Sequence, residues 1–254
     1  ETEAEIIVFC GVSFMAESAK ILNPEKTVLL PVREAGCPMA DMIDGEGVRA
    51  LRRAHPGAAV VCYVNSSAEV KAESDICCTS SSALKIVRSL SEKEIIFIPD
   101  RNLGRYIAGK VPEKTFHFYE GYCPVHDRVT EADVTAAKAA HPGALFAVHP
   151  ECREEVLRHA DFIGSTSEIL HYVETSPQDT FLIGTEEGVR DRLMQTAPDK
   201  QAHLVTPRFT CPNMKKTTTK DLLRALERHQ HEVLMDAAAI DAASRPLKRM
   251  VAVR

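Results

Sequence analysis

The chain has 254 residues, 44% apolar and 26% charged, with 14 prolines and a formal net charge of −5. That balance excludes a disordered or fibrous chain and is enough for one large domain or two to three small ones. A chain without basic excess is a poor nucleic-acid partner, no apolar run reaches the roughly 20 residues that cross a bilayer, and no secretory pattern opens the sequence.

In chain order, EIIVFCGVSFMAESAKIL (5–22) reads as an apolar strand, a polar turn and a helix, and TVLLPVREAGC (27–37) as a strand that ends at Cys37. From His55, HPGAAVVCYVNSSAEVKAESDICCTSSSALKIV predicts a strand over 58–64, a helix over about 66–73, a short buried strand over 75–78 and a Ser/Thr-rich cap into another helix. EIIFIPDRNLGRYIAGKV (94–111) returns to the strand–turn–helix pattern of the opening, and TFHFYEGYC carries a second strand to Cys123.

HPGALFAVHPECREEVLRHADFIGSTSEILHYV begins at His141, 86 residues after its counterpart and without a gap. It predicts strands over 144–149 and 161–164, and a helix over about 151–159. TFLIGTEEGVRDRLMQTA (180–197) and HLVTPRFTC, ending at Cys211, complete the copy. AEVKAE and EEVLRH carry the polar i, i+4 spacing of half-exposed crossover helices. In the tail, a helix over about 219–229, a short strand at HEVLMD and a final helix are expected, packing back on the first unit. Near-continuous apolar strands joined through helices specify an α/β fold whose parallel sheets are covered on both faces.

The period divides the chain into one complete unit over 40–126 and another over 127–213. Residues 1–39 with the tail 214–254 form an incomplete first unit. It lacks the strand, helix, strand and helix that open the other two, so the sequence reads as a clipped form of a longer chain.

Eight cysteines without any CxxC spacing fit neither a disulfide scaffold nor a finger-type zinc site, and a reduced cytoplasmic setting is expected. Cys10, Cys62, Cys77 and Cys78 read as small core residues. Cys37, Cys123 and Cys211 differ: they recur at 86 and 88 residues, each ending the same kind of segment. Three soft thiolates suit iron–sulfur or zinc. Zinc would take a fourth ligand, for which His126 or His149 stands ready. An iron–sulfur cluster with an open iron needs none.

In a parallel sheet the crevice lies beyond the strand C-termini. Tyr63 and Asn65, their repeat counterparts His149 and Glu151, and the hydroxyl runs Thr79–Ser82 and Ser165–Ser167 all fall there. His149 and Glu151 are candidates for acid/base or orienting work. Ser165–Ser167 with Glu168 reads as a helix cap that could also face an anion. Glu151 is placed near the start of its helix, where the dipole favours a carboxylate.

At VFCGVSFMAESAKILNPEKTVLLP, AGCPMADM, CYVNSSAEVKAESDICCTSSSAL, FIPDRNLGRYIAGK, GYCPVH, VHPECREEV, GSTSEIL, IGTEEG and CPNMKK the chain closely resembles the quinolinate synthase family. The resemblance runs through nearly the whole chain. It implies three αβα sandwich domains about a pseudo-threefold axis, with Cys37, Cys123 and Cys211 binding one [4Fe-4S] cluster that keeps an open iron. It further implies condensation of iminoaspartate with dihydroxyacetone phosphate in NAD biosynthesis, with loss of phosphate and two waters, and a functional link to an enzyme that produces iminoaspartate. Carried over by motif, Tyr63, Asn65, Ser80, His149, Glu151 and Thr166 would contact substrate, with His149, Glu151 and Tyr63 catalytic. The sequence departs at Ser82 and Tyr119, where many members carry Asn and Trp, and it contains no match to the family's opening His-x-Tyr and anion-binding serine. Two other readings use the same features: an iron–sulfur hydro-lyase acting on a small hydroxy-dicarboxylate, and a non-catalytic cluster-binding protein.

Overall fold

The computed structural model describes residues 3–253. Three wholly parallel sheets occur among them. The first pairs β1 (Ile6–Val8) with β2 (Thr27–Leu29) across α1 (Ser13–Leu22), and Ile6 lies opposite Thr27. After α2 (Gly45–Ala54) the second sheet is built from β3 (Ala59–Tyr63), α3 (Ala68–Ala72), β4 (Ile76–Cys78), α4 (Ala83–Ser89), β5 (Glu94–Ile98), α5 (Arg101–Ala108) and β6 (Thr115–Phe118). The third follows α6 (Pro124–Asp127) and α7 (Glu131–Ala140). It comprises β7 (Leu145–Val148), α8 (Glu154–Leu157), β8 (Phe162–Ile163), α9 (Thr166–Thr175), β9 (Thr180–Gly184), α10 (Gly188–Thr196) and β10 (Gln201–Leu204). The tail forms α11 (Thr219–Arg228) and α12 (Ala237–Ala252).

The two four-stranded sheets have one topology, β4-β3-β5-β6 and β8-β7-β9-β10. The repeat extends to single hydrogen bonds. Val60 N–H donates to the Asp75 carboxylate at 2.7 Å, as Phe146 N–H does to Asp161 at 2.7 Å. In both HPG turns the glycine has positive φ, +91° at Gly57 and +83° at Gly143, a conformation that side-chain-bearing residues resist.

The chain groups into two compact units. One contains the residues through Pro99, Val111–Gly121 and Pro212 onward; the other contains Asp100–Lys110 and Tyr122–Cys211. In the second unit, strand alternation sends Phe146, Val148 and Leu182 to a core with Val134, Ala137 and Val156 from α7 and α8. It sends Ala147, Phe181 and Ile183 to the opposite face, among Ile169, Val173, Val189 and Leu193 of α9 and α10. Both faces of the sheet are therefore buried under helices, the αβα layering that continuous apolar strands require. In the first unit, Val60, Cys62, Cys77, Ile96 and Ile98 share a core with Val48, Val70, Ala243 and Leu247, so α12 from the tail joins α2 and α3 over that sheet.

Several expectations are corrected. HEVLMD forms no strand: it makes a single antiparallel bridge, Glu232 with Leu29, plus a 2.8 Å bond from Val233 N–H to the Val28 carbonyl. The segment still extends the short β1–β2 sheet along its open edge. Cys10 is exposed, whereas Cys62, Cys77 and Cys78 are buried as read. Lys71, in the half-exposed helix that AEVKAE predicts, is wholly buried. α3 is half-exposed as expected, with Glu69 outside and Val70 and Lys71 inside, and the Lys71 ammonium donates to the Ser66 carbonyl within the unit.

Candidate active site at the strand ends

In each four-stranded sheet the chain leaves the first strand toward one edge and returns on its other side. The β3/β5 and β7/β9 junctions are thus topological switch points, where crevices open beyond the strand C-termini. Tyr63 is the last residue of β3, with Asn65 two residues on. His149 directly follows β7, Glu151 comes two residues later, and Thr185 directly follows β9.

The second unit gathers most of these groups. His149 and Glu151 are buried, 4% and 3% exposed, with His126 and Thr185 equally enclosed. His149 N–H bonds the Gly184 carbonyl at 3.1 Å, and that glycine is required: a Cβ there would lie 2.7 Å from both Phe146 and Val148. The Glu151 carboxylate meets His126 Nδ1 at 2.8 Å, while His126 Nε2 and Thr185 Oγ1 are 3.0 Å apart. The rings of His126 and His149 are 5.1 Å apart.

Glu151 N–H donates to His149 Nδ1 at 3.3 Å, so the His149 proton sits on Nε2. Burial, with Glu151 opposing it, holds the His149 pKa down at about 4. His149 is therefore a neutral imidazole at neutral pH, with Nε2–H as its donor. The placement of Glu151 at a helix start is corrected: α8 begins only at Glu154, and Glu151 lies in the preceding turn. A four-residue helix three positions away gives Glu151 no terminal dipole, and its local partner is His126 instead.

Three supporting groups escaped the sequence reading. Asp100 is fully buried and accepts from the N–H groups of Leu103 at 2.7 Å and Cys123 at 3.1 Å. Burial, followed by the nearby Glu151 charge, holds its carboxyl well above the usual range. Asn102 donates to Asp127 at 2.9 Å and to the Glu151 carbonyl at 3.0 Å, tying α5 to the turn that follows β7. Asp127 is in turn paired with Arg101 at 3.1 Å and Arg153 at 3.0 Å. The one signal in the sequence was Asp100 as an N-cap before α5.

Thr166 opens α9 and is exposed, immediately after Ser165, whose capping box with Glu168 forms as expected. In the first unit Tyr63 is buried, and Asn65 and Ser80 are half-buried beyond β3 and β4. Behind Tyr63, its carbonyl accepts from the Ser66 hydroxyl at 3.0 Å, and that hydroxyl lies 2.9 Å from the Cys62 thiol. Ser82 turns back onto Thr79 N–H at 2.9 Å, and the Tyr119 hydroxyl donates to the Met42 carbonyl.

All three periodic cysteines are placed beyond strand ends, Cys37 after β2, Cys123 after β6 and Cys211 after β10, and each is half-buried. Cys123 Sγ, His126 Nδ1 and Glu151 Oε2 lie within 4.8 Å of one another, a group able to hold a metal ion. Burial and then the Glu151 charge push the Cys123 thiol well up, while the N–H groups of His126 and Val125 oppose this. A cation beside it would reverse the balance and favour the thiolate. Cys211 borders the same apolar cluster as Cys123, and its N–H donates to Glu186 at 3.4 Å. Cys37 packs beside Val12, Phe14 and Ala40 in the first unit. A half-buried thiol with a nearby imidazole, as at Cys123 and His126, is the donor chemistry of a soft metal centre.

A parallel α/β fold whose second unit groups Cys123, His126 and Glu151 beside buried His149 has the makings of a metal-capable enzyme site. The sequence then fixes the family: residues 1–252 match the family described as NadA: Quinolinate synthetase A protein, and the chain belongs to it. Curated relatives named quinolinate synthase are 49% identical in Alkaliphilus metalliredigens and 52% identical in Geobacter metallireducens. Each match spans all of this chain, and 84% and 83% of the relative. The quinolinate synthase of Clostridium perfringens strain 13 is 50% identical over 98% of the chain and 83% of the relative. No helix among the described residues is long and apolar enough to cross a membrane.

Proposed function

We propose that this chain works as a quinolinate synthase, an enzyme of NAD biosynthesis acting on small molecules, and that its substrates are iminoaspartate and dihydroxyacetone phosphate. The condensation is redox-neutral: one imine and one triose phosphate give quinolinate, phosphate and two waters. Two bonds close the pyridine ring, one from carbon to carbon and one from carbon to nitrogen. What supports the reading most is identity of about half the residues with quinolinate synthases across the entire chain.

Cys37, Cys123 and Cys211 hold a [4Fe-4S] cluster in this reading. When bound, it supplies a Lewis-acidic iron with no protein ligand for a substrate oxygen. The remaining chemistry belongs to the chain. His149, neutral with its proton on Nε2, donates to a substrate carbonyl or carboxylate oxygen and polarises it without adding charge. The Glu151 carboxylate takes a proton during enolisation and dehydration, and its 2.8 Å contact to His126 steadies the charge. Tyr63 and Asn65 orient the dicarboxylate, and the Ser80 and Thr166 hydroxyls bind anionic oxygens. Burial of His149 and Glu151 keeps bulk water from two hydrolysis-prone substrates. Because iminoaspartate is an unstable imine, an enzyme that generates it by oxidising aspartate must work alongside.

Genetic complementation tests this. In a bacterium that lacks its own quinolinate synthase, the gene should restore growth without nicotinate, and the Glu151→Gln gene should not. Failure of the unaltered gene, with the protein present and folded, contradicts the proposal.

A further inference from the structure

At the end of the second sheet away from Tyr63 and Asn65, three side chains converge. His55 closes α2 ahead of β3, Glu94 opens β5, and His117 is the third residue of β6. One donor atom from each lies within 4.8 Å of the others. The His55 and His117 rings stack at 3.6 Å, tilted by 18°, and His117 Nε2 is 2.8 Å from Glu94 Oε2. The His117 and Glu94 side chains are 21% and 52% exposed, open to an ion from solution.

The 86-residue repeat supplies an internal comparison. His141 and His203 occupy the positions of His55 and His117 and stack in the same way, at 3.9 Å and 20°. Even the backbone agrees: His55 N–H bonds the Leu51 carbonyl at 2.9 Å, and His141 N–H bonds that of Ala137 at 3.0 Å. The position of Glu94 is taken by Thr180, which likewise opens its strand. The imidazole stack therefore comes with the fold, and the carboxylate is peculiar to the first copy.

We propose that His55, Glu94 and His117 form a divalent transition-metal site, with zinc as its natural ion, separate from the strand-end cysteines. Two imidazoles and one carboxylate are a zinc donor set that leaves one position for water or an outside ligand, and they disfavour the oxygen-seeking magnesium and calcium. Bonds of about 2.0–2.2 Å require the donors to close to roughly 3.5 Å, and both rings must fan out of their stack to aim at one ion. Partly exposed side chains on strand and helix ends have that freedom.

The test is zinc titration of the anaerobic, cluster-loaded full chain against a chromogenic chelator. Glu94→Thr makes the first copy resemble the second, at an exposed position that the fold tolerates. It should remove one zinc equivalent or weaken it at least about tenfold. Adding Thr180→Glu to that variant should restore one equivalent at the second histidine pair. All these proteins share the same cysteines, so zinc captured by thiolates cancels in the comparison, and the result stands apart from quinolinate synthesis. Superimposable isotherms for the unaltered and Glu94→Thr chains would overturn the proposal. So would loss of zinc in His141→Ala with retention in Glu94→Thr.

Discussion

Acidification should destabilise the protein through His149 in particular. The ring is buried and neutral, its pKa lowered to about 4, whereas in the unfolded chain it returns to the ordinary value near 6.5. Between those two values the unfolded state binds more protons than the native state, so stability falls as pH drops through that window. Integrated from pH 7 to pH 5, the linkage amounts to roughly 2 kcal/mol from this one group. Urea unfolding at both pH values, followed by circular dichroism under anaerobic conditions, reads the loss. The control is His149→Asn, whose amide oxygen can accept the Glu151 N–H in place of Nδ1 but does not titrate. Other groups contribute to both proteins, so the variant should lose roughly 2 kcal/mol less between pH 7 and pH 5. Equal losses would mean that His149 is charged or solvated in the native state, and the neutral-donor role would fall with it.

Three further outcomes follow from the same contacts. Glu151→Gln should keep the fold and lower quinolinate turnover about 100-fold or more, measured by steady-state kinetics, because the charge disappears with little change in volume. Ser165→Ala should cost about 1 kcal/mol in urea unfolding, since its hydroxyl donates to Glu168 at 2.6 Å and caps α9. Gly184→Ala should cost about 1–3 kcal/mol by the same measurement and also lower activity, because its methyl would press on Phe146 and Val148 beneath His149.

Much of this architecture was legible because buried parallel strands leave a strong signature. AVVCY and EIIFI are nearly continuous apolar runs; the first forms β3 within a residue of the expected 58–64, and the second forms β5. The gapless 86-residue offset announced two copies of one topology, and both sheets have it. Strand ends were equally readable, which put His149, Glu151 and the three cysteines beyond them. What could not be read was whatever depends on contacts between distant segments. Asp100 and Asn102 fall in the polar turn of a strand–turn–helix segment, yet they brace Cys123, Asp127 and Glu151, which lie 23 to 49 residues further along. Lys71 is buried on the inner face of α3 beside Val70 while Glu69 of the same helix is exposed, and nothing in AEVKAE tells the two charged residues apart. Glu151 was assigned to a helix that begins three residues later, because ECREEVLRH has helical composition from its first residue.

The most direct measurement of the central claim is quinolinate formation by the purified, anaerobically handled protein supplied with freshly generated iminoaspartate and dihydroxyacetone phosphate. Mass spectrometry should detect quinolinate with one equivalent of phosphate released, and each of Cys37→Ser, Cys123→Ser and Cys211→Ser should abolish it. Iron-loaded protein that yields no quinolinate, or that only dehydrates hydroxy-dicarboxylates, would contradict the account.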